Sequence, residues 1–184
     1  MNEGLISKRY AKALFDHAYD LGEETLLYHR MQILESLWQR MPDLKNSLKS
    51  PMIPVETKIN LLKNATGKHA EQSYLDFIDL MVANHRTDSI FMIALSYQLI
   101  YRKMKKISVV HLTSATKLPN QALDRIRLFT EQMTHGKVEF STRIDPSIVG
   151  GFIYQLNDLR IDASVKGQLD RISRQLSQIN KSIL

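Results

Sequence analysis

Residues 145–163 read DPSIVGGFIYQLNDLRIDA, and this stretch decides the fold of the C-terminal part of the chain. Two β-favouring runs, 152–156 and 159–161, flank Asn157-Asp158, which is typical of a β-hairpin. Glycine tolerates backbone dihedrals and close backbone approaches that other residues avoid, so the preceding pair Gly150-Gly151 predicts a bend or bulge between strands. We therefore expect a hairpin within a small mixed domain.

A glycine pair can also belong to a loop that cradles a phosphate. Such loops have the spacing G-x-G-x-x-G or G-x-x-x-x-G-K-[ST] and open a helix whose N-terminal amides face the anion. Here Gly151 is followed by Phe-Ile-Tyr-Gln-Leu, with no helix start and no lysine nearby. The spacing therefore disfavours phosphate binding.

The end of the quoted stretch leads into a helix near 164–183. Asp162 or Ser164 can accept hydrogen bonds from the first free amides of this helix. Its apolar residues fall on one face, at Val165, Leu169, Ile172, Leu176 and Ile179. We expect this face to pack into the core rather than against a partner.

The rest of the chain separates into two kinds of pattern. A strand at 107–112, a helix at 120–134 and a strand through Val138, Phe140 and Ile144 complete the mixed domain. The first 106 residues predict six helices, near 4–21, near 23–41, around Leu44 and Leu48, from Pro54 to Gly67, from His69 to Asn84, and from a cap at Thr87 or Asp88 to the basic cluster at 102–106. The predicted fold class is mainly α, with an N-terminal six-helix bundle at 1–106 and a smaller α+β domain at 107–184.

The composition of the 184-residue chain is ordinary for a globular protein, with 43% apolar and 24% charged residues. Because the sequence contains no cysteine, disulfides, thiolate zinc sites and cysteine nucleophiles are excluded. The N-terminus lacks the apolar core of a secretory signal. The most apolar segment, 90–101, is interrupted by Ser96 and Gln98 and is shorter than the roughly 20 residues that span a bilayer, so we expect no direct membrane insertion.

The net charge of +6 has two interpretations. A basic protein can bind nucleic acid through a concentrated patch of positive charge. The dense cluster here, Arg102, Lys103, Lys105 and Lys106, ends a helical pattern, where cations complement the helix dipole. The second interpretation is favoured, and a basic helical nucleic-acid-binding protein is the alternative function.

Residues that carry chemistry are sparse in the sequence. The six histidines form neither an HxH nor an HExxH group, and no carboxylate lies beside them at a metal-ligand spacing: His17, His29, His69, His85, His111 and His135. There is no G-x-S-x-G elbow, and no pair of carboxylates is preferred over the others. We therefore predict no catalytic, no cofactor-binding and no metal-binding residues.

Two motifs at opposite ends of the chain resemble the same family. The first is RYAKALF at 9–15, and the second runs from Asp145 through the glycine pair to DASV at 162–165. Both are similar to the ATP synthase delta subunit, known in mitochondria as the oligomycin-sensitivity-conferring protein. The C-terminal signature of that family is matched here by Gly150, Gly151, Asp162 and Ser164.

The resemblance implies a non-catalytic stator subunit in the peripheral stalk of the proton-translocating ATP synthase, which resists the torque of the rotor. It implies that the helical bundle binds the N-terminal segments of the alpha subunits and that the second domain binds the end of stalk subunit b. It implies no cofactor and no nucleic acid. The protein is expected to be a monomer within the complex, held as a peripheral membrane protein at the cytoplasmic face of the inner (plasma) membrane of a bacterium.

The resemblance also implies a groove for the alpha segment between the first and fifth helices. The matching positions are Tyr10, Ala11, Leu14, Phe15, Ala18, Leu75, Ile78, Asp79 and Val82. Small residues would let a partner helix approach closely, and the first helix has more apolar side chains than can face inward together. The alternative is that these residues fill the core of the bundle.

Overall fold

A computed structural model describes residues 3–50, 52–65 and 70–182 of the chain. The chain divides into two compact units, Met1–Met104 and Lys105–Leu184, which we call the helical unit and the mixed unit. The described part is mainly helical and contains one small four-stranded sheet. The division between the units lies close to the predicted domain boundary after residue 106.

The described residues of the helical unit form six α-helices. They are α1 (Glu3–Asp20), α2 (Glu24–Arg40), α3 (Pro42–Lys49), α4 (Val55–Ala65), α5 (Gln72–Ala83) and α6 (Ile90–Met104). Pro42 separates α2 from α3 and also occupies the first turn of α3, where its missing N–H costs no hydrogen bond. The predicted end of the fourth helix at Gly67 and the predicted start of the fifth at His69 lie outside the described residues.

Helices α1 and α5 are each followed by a residue in the left-handed backbone region. Gly22 has a φ of +70°, and this allows the Glu23 N–H to donate to the Ala18 carbonyl at 2.8 Å. His85 has a φ of +52°, and the Arg86 N–H donates to the Met81 carbonyl at 2.8 Å in the same way. Both ends therefore satisfy carbonyl groups that a helix otherwise leaves free.

The start of α6 differs from the prediction. Thr87 and Asp88 do not cap it, because a 3-10 turn at Thr87–Ser89 precedes the helix. The Thr87 hydroxyl instead donates to the Leu48 carbonyl at 3.4 Å. Tertiary contact with α3 therefore replaces the local cap that the sequence predicted.

Aromatic side chains form much of the interior of the helical unit. The rings of Tyr28 and Tyr101 stack with centroids 4.1 Å apart, and Phe15 lies 5.9 Å from the ring of Tyr97. The Tyr97 hydroxyl donates to the Glu24 carbonyl at 3.1 Å, and burial raises the pKa of Tyr97. These contacts join α1, α2 and α6 around one core.

A buried ion pair joins α2 to the segment before α5. The Arg30 guanidinium donates to the Glu71 carboxylate, and the two side chains are only 7% and 14% exposed. The guanidinium also lies over the ring of Tyr74, 5.0 Å from its centroid. A buried charge is tolerated when it is paired in this manner.

The mixed unit is a four-stranded sheet with the strand order β2-β1-β3-β4. Its elements are β1 (Ile107–Ser114), α7 (Asn120–Thr134), β2 (Lys137–Ile144), β3 (Phe152–Leu156), β4 (Leu159–Asp162) and α8 (Val165–Ser182). β1 pairs in parallel with β2 and antiparallel with β3, so it is a central strand. The predicted hairpin is confirmed, because β3 and β4 pair antiparallel around Asn157-Asp158.

The core of the mixed unit is small. Its buried cluster contains Val110, Leu112, Val138, Tyr154 and Leu156. Side chains of α7 pack against this cluster, and the Thr130 hydroxyl hydrogen-bonds the Tyr154 hydroxyl at 3.1 Å. The helix predicted at 120–134 is therefore the one that packs on the buried face of the sheet.

The structure contradicts the expectation that the last helix packs into the core. Val165, Leu169 and Ile172 are 40%, 59% and 52% exposed, although they lie on one face as the periodicity predicted. The physical reason is that α7 already packs on the buried cluster, whereas α8 starts against the 3-10 turn Pro146–Ile148. The side chains of Leu176 and Ile179 lie outside the described residues.

Candidate functional site

A surface pocket of about 300 Å³ lies between α1 and the end of α5. Its described lining consists of Ile6, Arg9, Tyr10, Ala13, Leu80 and Arg86. Leu80 in this lining is 47% exposed. The pocket and the helix surfaces around it form what we call the α1–α5 groove.

Most of the nine sequence-predicted groove residues lie beneath this surface. Five are no more than 5% exposed, namely Ala11, Leu14, Phe15, Ala18 and Ile78. The other four reach the surface: Tyr10, Leu75 and Val82 are half-buried, and Asp79 is exposed. In this conformation the five buried side chains are therefore not available to a partner.

The reason for this burial is the packing of α1 against α6. Ala11 and Ala18 are fully buried, so their small side chains permit a close approach within the chain itself. Phe15 lies between the two helices, with the ring of Tyr101 at 6.5 Å and that of Tyr97 at 5.9 Å. These apolar residues of α1 thus face their own helical unit.

Apart from Tyr10, the residues that line the pocket were not among those predicted for the groove. Ile6, Arg9 and Ala13 on α1, together with Leu80 and Arg86, line the pocket around Tyr10. A signal was present in the spacing, because positions 6, 9, 10 and 13 lie on one face of a helix. Sequence spacing alone did not show which apolar face of α1 meets the rest of the unit.

Charged groups are placed at the two ends of the groove. At one end, the Arg86 guanidinium lies 5.5 Å from the centroid of the Tyr10 ring. At the other end, a ring nitrogen of His17 on α1 forms a hydrogen bond of 3.0 Å with the Asp76 carboxylate on α5. The hydrogen bond with His17 lowers the pKa of Asp76, which favours its charged form.

The turn between α1 and α2 also holds the start of α5. The Glu23 carboxylate accepts hydrogen bonds from the backbone N–H groups of Ser73 at 2.9 Å and Gln72 at 3.3 Å. These hydrogen bonds lower the pKa of Glu23, and the bond from the Ser73 N–H has the largest effect. Glu23 therefore caps a helix that begins 49 residues later in the sequence.

The glycine pair of the quoted stretch meets the start of α8 in the mixed unit. Gly151 has a φ of +73°, and a Cβ atom there would lie 2.2 Å from the carbonyl oxygen of Ala163. The Gly150 carbonyl accepts from the Val165 N–H at 3.0 Å. The prediction of a bend between strands is confirmed, and glycine is required at 151 by both its conformation and a close backbone approach.

The turn before this pair is strained. Val149 has a φ of +68° and a ψ of −42°, and the Gly150 N–H donates to the Ile148 carbonyl at 2.8 Å across it. This geometry is a γ-turn of the unfavourable hand. The Val149 side chain is 69% exposed, so burial does not compensate for the strain.

Asp162 and Ser164 cap α8 together. The Ser164 hydroxyl accepts from the Gly167 N–H at 3.0 Å, and it donates to the Asp162 carboxylate at 2.5 Å. The Ser164 hydrogen bonds lower the pKa of Asp162. The two halves of the predicted signature thus meet at one junction that fixes the start of α8.

No group of three or more His, Cys, Asp or Glu residues that could hold a metal ion occurs within residues 3–50, 52–65 and 70–182. In the same part of the chain, none of the helices has both the length and the apolar composition that crossing a membrane requires. The features that remain for a functional assignment are therefore surfaces, namely the α1–α5 groove and the exposed face of α8.

Comparison with known families decides the assignment. The family described as ATP synthase delta (OSCP) subunit matches residues 6–176. The chain belongs to this family. A protein named ATP synthase subunit delta from Phocaeicola vulgatus is 37% identical over 182 residues, with 98% of each chain covered. Its counterpart of the same name from Bacteroides thetaiotaomicron is 36% identical over 186 residues, with all of both chains covered.

A solved structure has the same fold as this delta-family chain. It belongs to the cryo-EM structure of the Toxoplasma gondii mitochondrial ATP synthase hexamer, and the match has a TM-score of 0.70 at 20% identity. The match covers 96% of this chain and 97% of the other. The likeness therefore extends over both units.

Family membership confirms the resemblance seen in the two sequence motifs. The protein is a structural, non-catalytic subunit of the ATP synthase that belongs to its peripheral stalk. The alternative of a nucleic-acid-binding protein receives no support from the comparisons. Part of the basic cluster is engaged within the fold, since Arg102 donates to the Tyr28 hydroxyl at 2.8 Å.

Proposed function

We propose that this delta-family subunit connects the catalytic head of the ATP synthase to stalk subunit b and resists rotor torque. In this proposal the helical unit is a six-helix bundle that binds the N-terminal helix of an alpha subunit in the α1–α5 groove. The mixed unit binds the end of subunit b. The observation that carries the proposal is the open pocket between α1 and α5, with a half-exposed leucine at its edge.

The geometry of the groove suits an amphipathic helix. Ile6, Ala13 and Leu80 offer apolar contacts, and Tyr10 adds an aromatic ring at the surface. A helix docks in such a groove through apolar residues spaced three and four apart. The buried residues predicted for the groove, among them Ala11 and Phe15, would support its floor without touching the partner.

The experiment measures binding of a peptide with the alpha subunit's N-terminal sequence by calorimetry. Leu80→Asp places a charge at the edge of the pocket and is expected to weaken binding at least about tenfold. Leu99→Asp is the matched control, because Leu99 is 63% exposed on α6 and does not line the pocket. Equal losses in both variants, or no binding to the wild type at micromolar peptide, would contradict the groove.

For subunit b, the exposed apolar face of α8 is the proposed contact. Val165, Leu169 and Ile172 form a stripe that the described part of the mixed unit leaves in solvent. A stripe of this kind is typical of a helix that packs against another helix. The capped junction at Asp162 and Ser164 would hold the helix in a fixed direction for this contact.

The corresponding test is binding of a soluble segment from the end of subunit b. Leu169→Asp is expected to reduce the affinity at least about tenfold, because the new carboxylate would lose its hydration when subunit b covers this face. Arg174→Asp is the control, because it places a carboxylate at an exposed position on the opposite face of the helix. Unchanged binding in Leu169→Asp would exclude α8 as the contact.

The location follows from these partners. Held between the head and subunit b, the protein would be a monomer at the cytoplasmic face of the inner membrane of a bacterium, attached peripherally. This proposal is supported by the bacterial relatives of the chain. Washing of membranes in low-salt buffer is expected to release the protein together with the head.

A further inference from the structure

The charged residues of the two helices beside the α1–α5 groove are separated along its length. In α1, the part from Gly4 to Lys12 carries only basic charges, whereas the part from Ala13 to Asp20 carries aspartates and neither lysine nor arginine. The basic residues are Lys8, Arg9 and Lys12, and the aspartates are Asp16 and Asp20. In α5 the charged residues are two aspartates, and an arginine follows the helix: Asp76, Asp79 and Arg86.

Contacts between the helices bring charges of the same sign to the same end. Arg86 lies over the ring of Tyr10, 5.5 Å from its centroid, and it lines the same pocket as Arg9. This end of the groove is therefore basic. At the other end, His17 forms a hydrogen bond of 3.0 Å with Asp76, which places the aspartates of α5 beside the aspartate-containing part of α1. That end is therefore acidic.

Charged groups at both ends can reach a partner. Arg9 and Asp79 are exposed, and neither forms an ion pair with another residue in the described part of the chain. The Arg86 guanidinium is held by the ring of Tyr10. An arginine stacked in this way still offers its in-plane N–H groups to a carboxylate.

The separation of charge defines the helix that fits the groove. Tyr10 and His17 mark its two ends on α1 and are seven positions apart, which is about 10 Å along a helix. Charge complementarity fixes the orientation of a complex more than it raises the affinity. We infer that the groove selects a helix with an acidic and a basic side chain about two turns apart beside its apolar stripe, and that it holds the acidic end over Arg9 and Arg86. This inference rests on the proposed function of the groove and adds a direction to it.

The first test uses the full-length chain and designed amphipathic peptides of about 20 residues, each with leucines at helical spacing. The bipolar peptide carries glutamate at one end of the stripe and lysine at the other, and a neutral peptide carries glutamine at both places. At low salt the bipolar peptide is expected to bind about fivefold more tightly, and the difference is expected to disappear in about 0.5 M NaCl. Equal affinities at low salt, or no binding of either peptide, would overturn the inference.

The orientation is measured with a nitroxide label on the bipolar peptide and ¹⁵N-labelled protein. A label at the glutamate end is expected to broaden the amide signals of His85 and Arg86. A label at the lysine end is expected to broaden those of Asp76 and Phe77 instead. The opposite pattern, or equal broadening from both labels, would contradict the inferred direction.

Variants test the residues that set the direction. Arg9→Gln removes an exposed charge from the basic end and is expected to weaken binding of the bipolar peptide about threefold at low salt. Binding of the neutral peptide should not change. Lys103→Gln is the matched control, because it removes the same charge from an exposed position of α6 that does not line the pocket. Equal effects of the two variants would mean that only the net charge of the chain matters.

The results separate this inference from the proposed function. If the alpha-subunit peptide binds in the groove but the designed peptides show no preference, the charge pattern alone is contradicted. If the bipolar peptide binds in the expected direction but the alpha-subunit peptide does not bind, the inference is supported and the proposed partner is contradicted.

Discussion

Apolar side chains are buried more completely in the helical unit than in the mixed unit. In the helical unit, the large side chains of Tyr28, Tyr74 and Tyr97 are at most 2% exposed, and a buried ion pair is enclosed with them. The mixed unit has a buried cluster of five residues and leaves the apolar face of α8 in solvent. The helical unit is thus stabilised by side-chain packing, whereas the mixed unit depends more on backbone geometry at the α8 junction.

The largest expected effect tests this dependence on backbone geometry. Gly151→Ala is expected to cost more than about 4 kcal/mol, because the new Cβ would meet the Ala163 oxygen and the φ is unfavourable for alanine. Gly22→Ala has a similar φ but nothing within 4 Å of the added Cβ, so only about 1 kcal/mol is expected. Urea unfolding followed by circular dichroism measures both.

The single tryptophan separates the two units in this experiment. Trp38 lies on α2 and stacks on Phe91 with centroids 5.0 Å apart, so its fluorescence reports the helical unit. Gly151→Ala should leave the fluorescence transition unchanged while the circular dichroism signal of the mixed unit is lost. A shift of the fluorescence transition by the same amount would show that the two units unfold together.

The next effect tests the interior of the helical unit. Arg30→Met is expected to destabilise it by about 3 kcal/mol, because the Glu71 carboxylate would remain buried without its partner. Arg40→Met removes the same charge from an exposed position of the same helix and is expected to change the stability by less than about 0.5 kcal/mol. Urea unfolding monitored at Trp38 gives both values, and similar values would mean that the pair contributes nothing.

A smaller effect concerns the cap of α5 and its dependence on pH. The pKa of Glu23 is lower in the folded chain than its ordinary value of 4.5. Its contribution is therefore complete at neutral pH and is lost as the pH falls through the folded-state pKa. Glu23→Gln is expected to cost about 1 kcal/mol at pH 7 and to flatten the loss below pH 4.5. Stability curves from pH 3 to pH 7 check this, with Glu56→Gln as an exposed control.

The smallest effect has the opposite sign. Val149→Gly is expected to stabilise the mixed unit by about 0.5–1 kcal/mol, because relief of the γ-turn strain exceeds the entropy that glycine adds to the unfolded chain. Val55→Gly is the control at a similarly exposed valine, 46% exposed in the first turn of α4, and it is expected to destabilise. A loss of stability in Val149→Gly would show that the turn is not strained in solution.

Local signals were sufficient for much of the fold. The hairpin around Asn157-Asp158 and the helix at 120–134 were predicted because turn residues and apolar periodicity act over a few positions. The cap at Ser164 followed from the same local chemistry. Such features depend on neighbours in the sequence, so the sequence alone was enough to place them.

Features that depend on distant residues were missed. The cap of α5 comes from Glu23, and no local pattern connects that residue to Gln72. The burial of Ala11 and Phe15 on α1 was not predicted, because helical spacing does not show which face meets α6. The exposure of Leu169 was missed for a similar reason, since an amphipathic face can serve a core or a partner equally well.

The central position of β1 has a mechanical consequence. This strand follows α6 directly in the chain, and it is hydrogen-bonded on one side to β2 and on the other to β3. The bonds of a sheet run across the strands, so a pull along the axis of β1 loads two rows of them in shear. Under such a load the hydrogen bonds of each row must break together, rather than one after another from the end of the strand. A pull transmitted from α6 into β1 would therefore meet the sheet in its most resistant direction.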